Sequence, residues 1–365
     1  MQVRVNLDER SYNIEIGKNI VTNIANYLLE IGNFSKIFVI TDQNVAKFHL
    51  EEFSAILDKA NLKHQNIILE AGEKTKDFAN LQNLCDKILA EKIDRKTLLI
   101  AFGGGVIGDL CGFVASILLR GIDFIQVPTT LLAAVDSSVG GKTAINSKFG
   151  KNLIGSFYQP KLVLCDLNFL NTLPDRDFIS GYGEVIKYGL IDDGGFFSFL
   201  EQNIVKIKAR NPEILQEIIV KSCNIKAKIV SQDETEKGAR ALLNFGHTFG
   251  HIFETETGYS DELFHGEGVG IGIAMAAVMS KNLGLIDNQD VFRIKKHLNE
   301  VGLFSSPKQL RKEWNVPNLL SHLYKDKKVQ NSKLTFILLK NIGEAFIKND
   351  VKETLFLEVL EEFLK

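Results

Sequence analysis

The sequence has 365 residues, more than one hydrophobic core comfortably accommodates, and a formal net charge of −2, so we expect two domains and no basic surface for nucleic acid. It contains no run of about 18 uncharged apolar residues that could cross a membrane, and its N-terminus lacks the layout of a signal peptide. The four scattered cysteines favour free thiols in a reducing cytoplasm and argue against a cysteine-based zinc site.

The first half of the chain alternates predicted strands and helices. A hairpin over residues 3–16 is followed by helices over 20–31, 45–59 and 78–91, and by apolar strands over 37–41, 65–69, 98–102, 124–127 and 162–165. Continuous apolar strands that alternate with helices are typical of a parallel sheet covered on both faces. The sequence therefore predicts an α/β domain in this half.

From about Leu173 onward the hydrophobic pattern changes to a helical period. Helices are predicted over residues 196–210, 214–230, 240–257, 269–283 and 291–301, and a late hairpin over 334–347 precedes a C-terminal helix. The Gly- and Ala-rich stretch 268–277 could pack at a subunit interface or inside this half, and the charged run 234–240 is typical of a solvated face. Pro174 breaks the pattern and places the boundary between residues 1–173 and 174–365.

A glycine-rich turn joins the predicted strand over 98–102 to an apolar helix. It consists of Gly103-Gly-Gly-Val-Ile-Gly108-Asp109, in which Asp109 could cap the helix. Glycines let the backbone approach a ligand closely, and a helix N-terminus favours the negative charge of a pyrophosphate. The turn is neither the Gly-x-Gly-x-x-Gly motif nor a P-loop, so a turn that serves packing alone is the alternative.

Polar residues follow two other predicted strands. Asp42 could hold ribose hydroxyls or simply cap the next helix, and Gly72-Glu73-Lys74-Thr75-Lys76 follows the strand over 65–69. Ligands of open α/β sheets collect at the carboxyl ends of the strands. These motifs together predict that residues 1–173 bind a dinucleotide.

Three of the seven histidines, His247, His251 and His265, are close in sequence. His247 and His251 are four residues apart, so both imidazoles project from one face of a helix. This spacing suits a metal ion, a proton shuttle or one of each, and the alternative is a pair of hydrogen-bonded structural histidines. The segment 128–143 and the later Lys151-Asn152 suit phosphate, carboxylate or hydroxyl ligands, unless each lysine is only a surface charge.

Together these motifs resemble the 3-dehydroquinate synthase family of sugar-phosphate cyclases. The resemblance extends from roughly Thr41 to the stretch 326–328. Its matching strings are Gly72-Glu73-Lys74-Thr75-Lys76, residues 103–113, Leu119-Arg120-Gly121, residues 128–143, Lys151-Asn152, Glu184-Val-Ile-Lys187-Tyr-Gly189, residues 240–251 and His265-Gly-Glu267. Two departures, Gly183 and Gly268, stand where the family commonly has alanine, and both keep a small residue.

The resemblance implies an enzyme that converts 3-deoxy-D-arabino-heptulosonate 7-phosphate to 3-dehydroquinate and phosphate, the second step of the shikimate pathway. It implies a catalytic NAD and a divalent metal ion, zinc or, as the alternative, cobalt. The implied metal ligands are Glu184, His247 and His265, so His251 faces the same site without binding the metal. The predicted fold is an N-terminal α/β dinucleotide-binding domain with a parallel sheet, followed by a mainly α-helical metal- and substrate-binding domain.

The resemblance also implies the other contacts of the site. The NAD contacts are Asp42, Asn44, Glu73, Lys76, Gly104, Gly105, Val106, Ile107, Gly108, Asp109, Thr129, Thr130, Lys142, Lys151, Phe169, Leu170, Asn171 and Thr172. The catalytic and substrate positions are Asp136, Lys142, Asn152, Lys187, Lys226, Arg240, Asn244, His251, Lys327 and Arg120. Arg120 would reach the phosphate site of a neighbouring subunit, which implies a homodimer, and Lys328 is the adjacent alternative to Lys327.

Under this interpretation NAD takes a hydride from C5 of the substrate, phosphate leaves by β-elimination, the hydride returns, and ring opening with an aldol closure forms the product. The alternatives are a metal-dependent polyol dehydrogenase such as glycerol dehydrogenase, another sugar-phosphate cyclase, and a nucleotide-sensing regulatory module. A dehydrogenase needs no phosphate-binding cations, and Arg240 with Lys226 favours a substrate that carries an acid group.

Overall fold

The computed structural model describes residues 1–325, 329–330 and 333–365. Within these ranges the chain forms two compact units. The first unit consists of Met1–Pro174 with Leu215–Thr235, and the second of Asp175–Ile214 with Glu236–Lys365. None of the described helices is both long enough and apolar enough to span a membrane.

The first unit contains nine strands and five α-helices before residue 175, where every residue is described. The strands are β1 (Gln2–Val5), β2 (Tyr12–Gly17), β3 (Lys36–Asp42), β4 (His64–Leu69), β5 (Thr97–Gly103), β6 (Asp123–Pro128), β7 (Lys142–Ser147), β8 (Gly150–Phe157) and β9 (Leu162–Asp166). The helices are α1 (Ile24–Ile31), α2 (Gln43–Val45), α3 (Glu51–Lys59), α4 (Phe78–Ala90) and α5 (Gly105–Ile117). A π-helical turn, Ala46–Leu50, joins α2 to α3.

Seven of these strands form one sheet in the order β1-β2-β9-β6-β5-β3-β4. β1 is antiparallel to β2, and the other neighbouring strands are parallel. Successive residues of β5 alternate between two apolar clusters, so Leu99 packs with Leu110 on one face and Leu98 packs with Phe53 on the other. Both faces of the sheet are therefore covered, and the predicted α/β architecture of this half is confirmed.

An antiparallel hairpin of β7 and β8 stands apart from this sheet and was not predicted. Its register pairs Lys142 with Phe157 and Ile145 with Ile154. Gly155 permits the close approach of the two strands, because a Cβ at that position would lie 1.9 Å from the Thr143 carbonyl oxygen. The hairpin consequently brings the predicted ligand residues of 142–152 onto one small element.

The second unit is mainly helical, as predicted. Its helices are α6 (Asp175–Asp192), α7 (Gly194–Gln202), α8 (Ile204–Lys208), the first residues of α9 (Pro212–Gln232), α10 (His247–Glu256), α11 (His265–Asn282), α12 (Asn288–Val301), α13 (Val316–Lys325) and α14 (Glu353–Leu364). Its strands are β10 (Val329–Gln330), β11 (Lys333–Asn341) and β12 (Glu344–Val351), which pair in antiparallel order. The predicted late hairpin corresponds to β11 and β12.

Helices α10 and α11 pack closely along four glycines, Gly246, Gly250, Gly268 and Gly272, which we call the glycine seam. A Cβ on Gly272 would lie 1.8 Å from the Gly246 carbonyl oxygen, and a Cβ on Gly250 would lie 2.8 Å from that of Gly268. No side chain fits between backbones at this separation. Helix α11 is buried from Gly266 to Ser280, so the Gly- and Ala-rich stretch packs inside the second unit.

The division into units differs from the predicted one over residues 215–235. These residues were assigned to the C-terminal half, whereas the structure groups them with the first unit. Lys226 donates to the side chain of Asp136 at 2.7 Å, and Gln216 donates to the backbone carbonyl of Ile16 at 3.0 Å. A helical period reports an apolar face but not which unit that face packs against, so the sequence could not reveal this exchange.

Candidate functional site

Three potential metal ligands from three helices of the second unit lie together, and we call them the metal group. Glu184 of α6, His247 at the start of α10 and His265 at the start of α11 offer ligand atoms that all lie within 4.8 Å of one another. Glu184 Oε1 is 3.5 Å from His247 Nε2 and 3.3 Å from His265 Nε2. The Glu184 side chain is 0 % exposed, so its charge requires compensation.

Both imidazoles of the metal group are oriented through their other nitrogen. His247 Nδ1 donates to the Phe245 carbonyl at 3.1 Å, and His265 Nδ1 donates to Glu254 Oε1 at 2.8 Å. Each histidine therefore directs Nε2 toward Glu184. A metal-binding histidine characteristically donates its second N–H to a carbonyl or carboxylate in this way. One carboxylate and two imidazoles also match the donor set of a catalytic zinc site that keeps an open position.

The two histidines of the metal group have opposite pKa shifts. Burial lowers the pKa of His247 well below its usual range, and the Lys187 ammonium adds to this effect. Burial also acts to lower the pKa of His265, but the carboxylates of Glu254 and Glu184 outweigh it and raise that pKa to about 10. His247 is thus neutral, as a ligand must be, and a divalent cation would replace the positive charge that a proton places on His265.

Two predicted substrate residues adjoin the metal group. Lys187 lies one turn after Glu184 on α6, forms an ion pair with its carboxylate and is only 2 % exposed. His251 lies one turn after His247 on α10, with ring centroids 5.4 Å apart, and its side chain is 41 % exposed. His251 therefore lies beside the metal group, and its partly exposed side chain is accessible to a ligand.

Two further predicted substrate residues occupy a 3₁₀ helix, Ala239–Asn244, shortly before α10. Arg240 is 1 % exposed, and Asn244 Nδ2 donates to Glu236 Oε1 at 2.9 Å. The prediction of a solvated face over 234–240 was therefore wrong at Arg240. Glu236 was not predicted as a site residue, and only its place in a charged run beside Arg240 could have suggested it.

Most of the predicted cofactor residues of the first unit lie at or after the carboxyl ends of parallel strands, whereas Lys142 and Lys151 lie on the β7–β8 hairpin. Those at strand ends are Asp42 as the last residue of β3 and Asn44 after it, Glu73 and Lys76 after β4, Gly104, Gly105, Val106, Ile107, Gly108 and Asp109 after β5, Thr129 and Thr130 after β6, and Phe169, Leu170, Asn171 and Thr172 after β9. Because these strands are neighbours in one sheet, the structure collects the residues along one edge, where ligands of such sheets bind.

The glycine turn after β5 has a packing role and leaves a helix N-terminus without a side-chain cap. A Cβ on Gly103 would lie 2.8 Å from that of Ile107, and one on Gly108 would lie 2.6 Å from Gln126 Oε1. Gly104 is the N-cap of α5 and caps it with no side chain, so the prediction that Asp109 could cap this helix was wrong. The N–H groups of its first turn suit a pyrophosphate.

A polar network, which we call the cofactor network, joins Glu73, Lys76, Asp109, Asn146 and Asn152. The Lys76 ammonium donates to Asp109 Oδ2 and to Asn152 Oδ1, each at 2.6 Å. Asn146 donates to Glu73 Oε1 at 2.8 Å and accepts from the Asn152 backbone N–H at 3.0 Å. Burial raises the pKa of Asp109, and the nearby Lys76 opposes this shift.

Asn146 was not predicted as a site residue, although it links two predicted contacts. Its position between Lys142 and Lys151-Asn152 was the available signal, but the hairpin that turns it toward Glu73 was not foreseen. Lys142 is exposed and Lys151 is half-buried on the same hairpin. In the same unit, Asp136 pairs with Lys226, as described above.

Local contacts or backbone geometry distinguish three of the predicted residues, Asp42, Thr172 and Arg120. Asp42 caps α2 by accepting from the backbone N–H of Asn44 at 2.8 Å, so the capping alternative is confirmed, and ribose binding stays a prediction. Thr172 Oγ1 lies 2.6 Å from His49 Nε2. Arg120 is exposed in a turn where its φ is +67°. Lys327 and its alternative Lys328 lie outside the described residues.

Family models and similar proteins point to the same family. Family models of the 3-dehydroquinate synthase N-terminal and C-terminal parts match residues 66–180 and 181–329. The 3-dehydroquinate synthase of Rhodospirillum rubrum is 48 % identical over 345 residues, which cover 94 % of this chain and 90 % of that protein.

Two solved structures extend the similarity to the fold. A 2-deoxy-scyllo-inosose synthase complexed with carbaglucose-6-phosphate, NAD⁺ and Co²⁺ is 27 % identical, with a TM-score of 0.90 and complete coverage of both chains. A 2-epi-5-epi-valiolone synthase from Streptomyces hygroscopicus with NAD⁺ and Zn²⁺ bound is 25 % identical, with a TM-score of 0.86, and covers 98 % of this chain and 99 % of that one.

Proposed function

The chain belongs to the 3-dehydroquinate synthase family, and we propose that it converts 3-deoxy-D-arabino-heptulosonate 7-phosphate to 3-dehydroquinate and phosphate in the shikimate pathway. Both family models together span residues 66–329, and the relatives with this activity match over nearly the full length. The single structural observation that carries the proposal is the metal group, in which Glu184, His247 and His265 converge. Membership of this family makes the protein an enzyme.

NAD and a divalent metal ion are the cofactors of the proposed reaction, and we assign zinc rather than cobalt. The two related cyclases hold NAD⁺ with Co²⁺ or with Zn²⁺. A site of one carboxylate and two imidazoles suits zinc in a tetrahedral arrangement. When bound, the metal ion would acidify a substrate hydroxyl while NAD took up and later returned one hydride, so the reaction has no net oxidation.

The residues of the second unit hold the metal and handle charge and protons. Glu184, His247 and His265 would bind the metal. The Lys187 ammonium offsets the buried Glu184 carboxylate and keeps further N–H groups to donate to a phosphate oxygen. His251 is accessible and can hold or release a proton at Nε2. Arg240 and Asn244 are proposed substrate contacts, and Lys327 is proposed from the sequence alone.

The residues of the first unit are proposed to bind the cofactor and part of the substrate. The free first turn of α5 and the strand-end residues described above would hold NAD. Asp136, Lys142, Asn152 and Lys226 are the proposed substrate contacts of this unit. Lysine and asparagine donors match the phosphate and carboxylate of a sugar-acid phosphate. The phosphate leaves by β-elimination, and its own oxygens can accept the proton that is lost from the neighbouring carbon.

Two further properties are proposed. We place the enzyme in the cytoplasm, because Cys85, Cys111, Cys165 and Cys223 are free thiols, as a reducing compartment allows. We also propose a homodimer, in which the exposed Arg120 reaches the phosphate site of the partner subunit. Sedimentation of the full chain tests whether it is a dimer. Arg120→Ala should lose activity but still sediment as a dimer.

The test is an assay of the full chain with NAD⁺, Zn²⁺ and the heptulosonate phosphate. We expect release of one phosphate per 3-dehydroquinate and no net accumulation of NADH. Glucose 6-phosphate and sedoheptulose 7-phosphate are the comparison substrates for other cyclases, and glycerol is the one for a polyol dehydrogenase. Turnover of a comparison substrate in preference to the heptulosonate phosphate, or stoichiometric NADH, would contradict the proposal.

A further inference from the structure

A buried carboxylate that does not belong to the metal group lies between two of the site's histidines. Glu254 is on α10, seven residues after His247 and three after His251, so all three side chains project from one face of the helix. Its side chain is 8 % exposed. A buried carboxylate is retained only where partners offset its charge, so its contacts indicate its role.

The two oxygens of Glu254 face different histidines. Glu254 Oε1 accepts from His265 Nδ1 at 2.8 Å, and Glu254 Oε2 lies 3.8 Å from His251 Nε2. His265 belongs to α11 and to the metal group, whereas His251 belongs to α10 and is the accessible histidine beside it. One carboxylate therefore contacts a predicted metal ligand and a predicted substrate residue.

The glycine seam creates the space that Glu254 occupies. A Cβ on Gly268 would lie 3.1 Å from Glu254 Cγ and 3.5 Å from its Cδ. The carboxylate thus packs over a bare backbone position of α11, three residues after His265. This packing limits the positions that the Glu254 side chain can adopt, which is what a group that orients a neighbour requires.

The corresponding contact of His247 differs in charge. His247 donates to a neutral backbone carbonyl, that of Phe245, while His265 donates to an ionised carboxylate. A carboxylate acceptor fixes the same tautomer as a carbonyl does, and it also increases the basicity of the imidazole as a ligand. The metal group is therefore asymmetric, with one histidine supported by backbone and the other by a side chain that substitution can remove.

We propose that Glu254 is a positioning residue, which holds His265 with Nε2 toward the metal position and orients His251 beside it. The inference rests on the proposed function for the role of His251, but not for metal binding itself. Glu254 contacts neither metal nor cofactor in this proposal, so it acts on the metal site through the two histidines. Its loss should weaken and distort the metal site while leaving all three ligands in the chain.

The experiment compares Glu254→Gln and Glu254→Ala with the matched control Glu256→Gln in the full chain. Glu256 is on the same helix and also pairs with a histidine, His322 Nε2, at 2.7 Å, but that histidine is not a ligand of the metal group. Zn²⁺ affinity is measured by competition with a chelator, and the geometry of the site is followed by the visible spectrum of the Co²⁺-loaded proteins. Melting of the metal-free proteins verifies that each variant folds.

For Glu254→Ala we expect a loss of Zn²⁺ affinity of about 10- to 100-fold, together with a changed Co²⁺ spectrum. Glu254→Gln keeps an oxygen that can accept from His265 and should lose less, and Glu256→Gln should retain the affinity and spectrum of the unmodified protein. Unchanged affinity and spectra in both Glu254 variants would overturn the inference, as would an equal loss in Glu256→Gln. If the unmodified chain binds no metal ion, the proposed function fails instead.

Discussion

The metal group of the second unit and the cofactor network of the first unit are organised in opposite ways. In the metal group, Glu184 and two imidazoles direct their ligand atoms at one another, and their other atoms are already held by Phe245, Glu254 or Lys187. In the cofactor network, Lys76, Asp109 and Asn152 satisfy one another directly. The metal group brings ligand atoms together for an added cation. In the cofactor network, by contrast, the polar groups already have hydrogen-bond partners within the network.

The two sites should therefore respond differently to substitution. A metal group whose ligand atoms converge on a cation should fail abruptly when one ligand is removed. A network whose members compensate one another should weaken by steps, because each residue supports neighbours that remain. Substitutions in the two sites test this contrast.

The largest effect is expected for His247→Ala. Removal of one ligand from the metal group should lower kcat/KM by more than about 10³-fold, equivalent to about 4 kcal/mol in the activation barrier, with the fold retained. Chelation of the metal from the unmodified enzyme should have the same effect, and added Zn²⁺ should restore only the unmodified enzyme. His322→Ala removes a histidine of the same unit outside the metal group and is the control. Full turnover by metal-stripped enzyme would refute the role of the metal.

The next effect concerns stability and Lys187→Met. Lys187 and Glu184 form an ion pair in which neither side chain is more than 2 % exposed, so removing the ammonium leaves a buried carboxylate without its cation. We expect the metal-free protein to lose about 3 kcal/mol of unfolding free energy, measured by denaturant titration. Added Zn²⁺ should narrow this deficit, because the metal ion also compensates Glu184.

The control for that prediction is Lys296→Met, which removes one partner of an exposed pair with Glu300 in the same unit. Its expected loss is at most about 0.5 kcal/mol. If the two lysine variants lose the same stability, or if Zn²⁺ does not narrow the difference, the metal group is not organised around the charge of Glu184.

A smaller effect is expected for Lys76→Met in the cofactor network. Loss of the ammonium that joins Asp109 and Asn152 should weaken NAD⁺ binding by about 10-fold, equivalent to about 1.4 kcal/mol, as measured by calorimetry. Lys74→Met, an exposed lysine two residues away, is the matched control. If Lys76→Met binds NAD⁺ as tightly as Lys74→Met does, Lys76 does not contribute to NAD⁺ binding.

The same variant has a definite pH dependence. Burial holds the pKa of Asp109 above its ordinary value, so the ionised carboxyl destabilises the folded state above that raised pKa, and the penalty shrinks as the pH falls and the carboxyl is protonated. Lys76 reduces this penalty. The unfolding free energy of Lys76→Met should therefore fall furthest below that of the unmodified protein at neutral and alkaline pH. The difference between the two proteins should shrink in acid. A deficit that grew on acidification would contradict this account.

The smallest effect is expected for Asn146→Ala. Asn146 supports Glu73 and the backbone of Asn152 by hydrogen bonds but is not itself proposed to contact the cofactor. Loss of these bonds should reduce NAD⁺ affinity by about 1 kcal/mol, within the range for single hydrogen bonds. Asn66→Ala, which removes a surface hydrogen bond to Ser54 in the same unit, should leave the affinity unchanged. A loss of NAD⁺ affinity of about 10³-fold, equivalent to about 4 kcal/mol, would show that the other residues of the network do not compensate for Asn146.

The sequence predicted the parallel sheet and the helical second half well, because burial on both faces of a strand and on one face of a helix leaves a local pattern. It did not predict the β7–β8 hairpin, since polar ligand residues such as Lys142 and Asn146 interrupt the alternation of a strand. It also misassigned residues 215–235, whose contact between Lys226 and Asp136 joins positions 90 residues apart. Long-range contacts of this kind have no local signature.

The candidate site was predicted unevenly for a similar reason. The spacing of His247 and His251 indicated a shared helical face, but only the family resemblance separated the ligand set from His251. Glu254 and Glu236 were overlooked because a glutamate in a helix or in a charged run is usually solvated. Each became recognisable through its partner, His265 in one case and Asn244 in the other.

The glycine seam limits which mutations the metal group can tolerate during evolution. Since α10 and α11 touch through bare backbone, the separation of their first residues, His247 and His265, is fixed by main-chain atoms and not by a side-chain choice. Any larger residue at Gly246 or Gly272 would force the helices apart and carry one imidazole away from the other. A mutation in the glycine seam would therefore abolish activity even though Glu184, His247 and His265 are all retained. The geometry of the metal group depends on four residues that have no side chain.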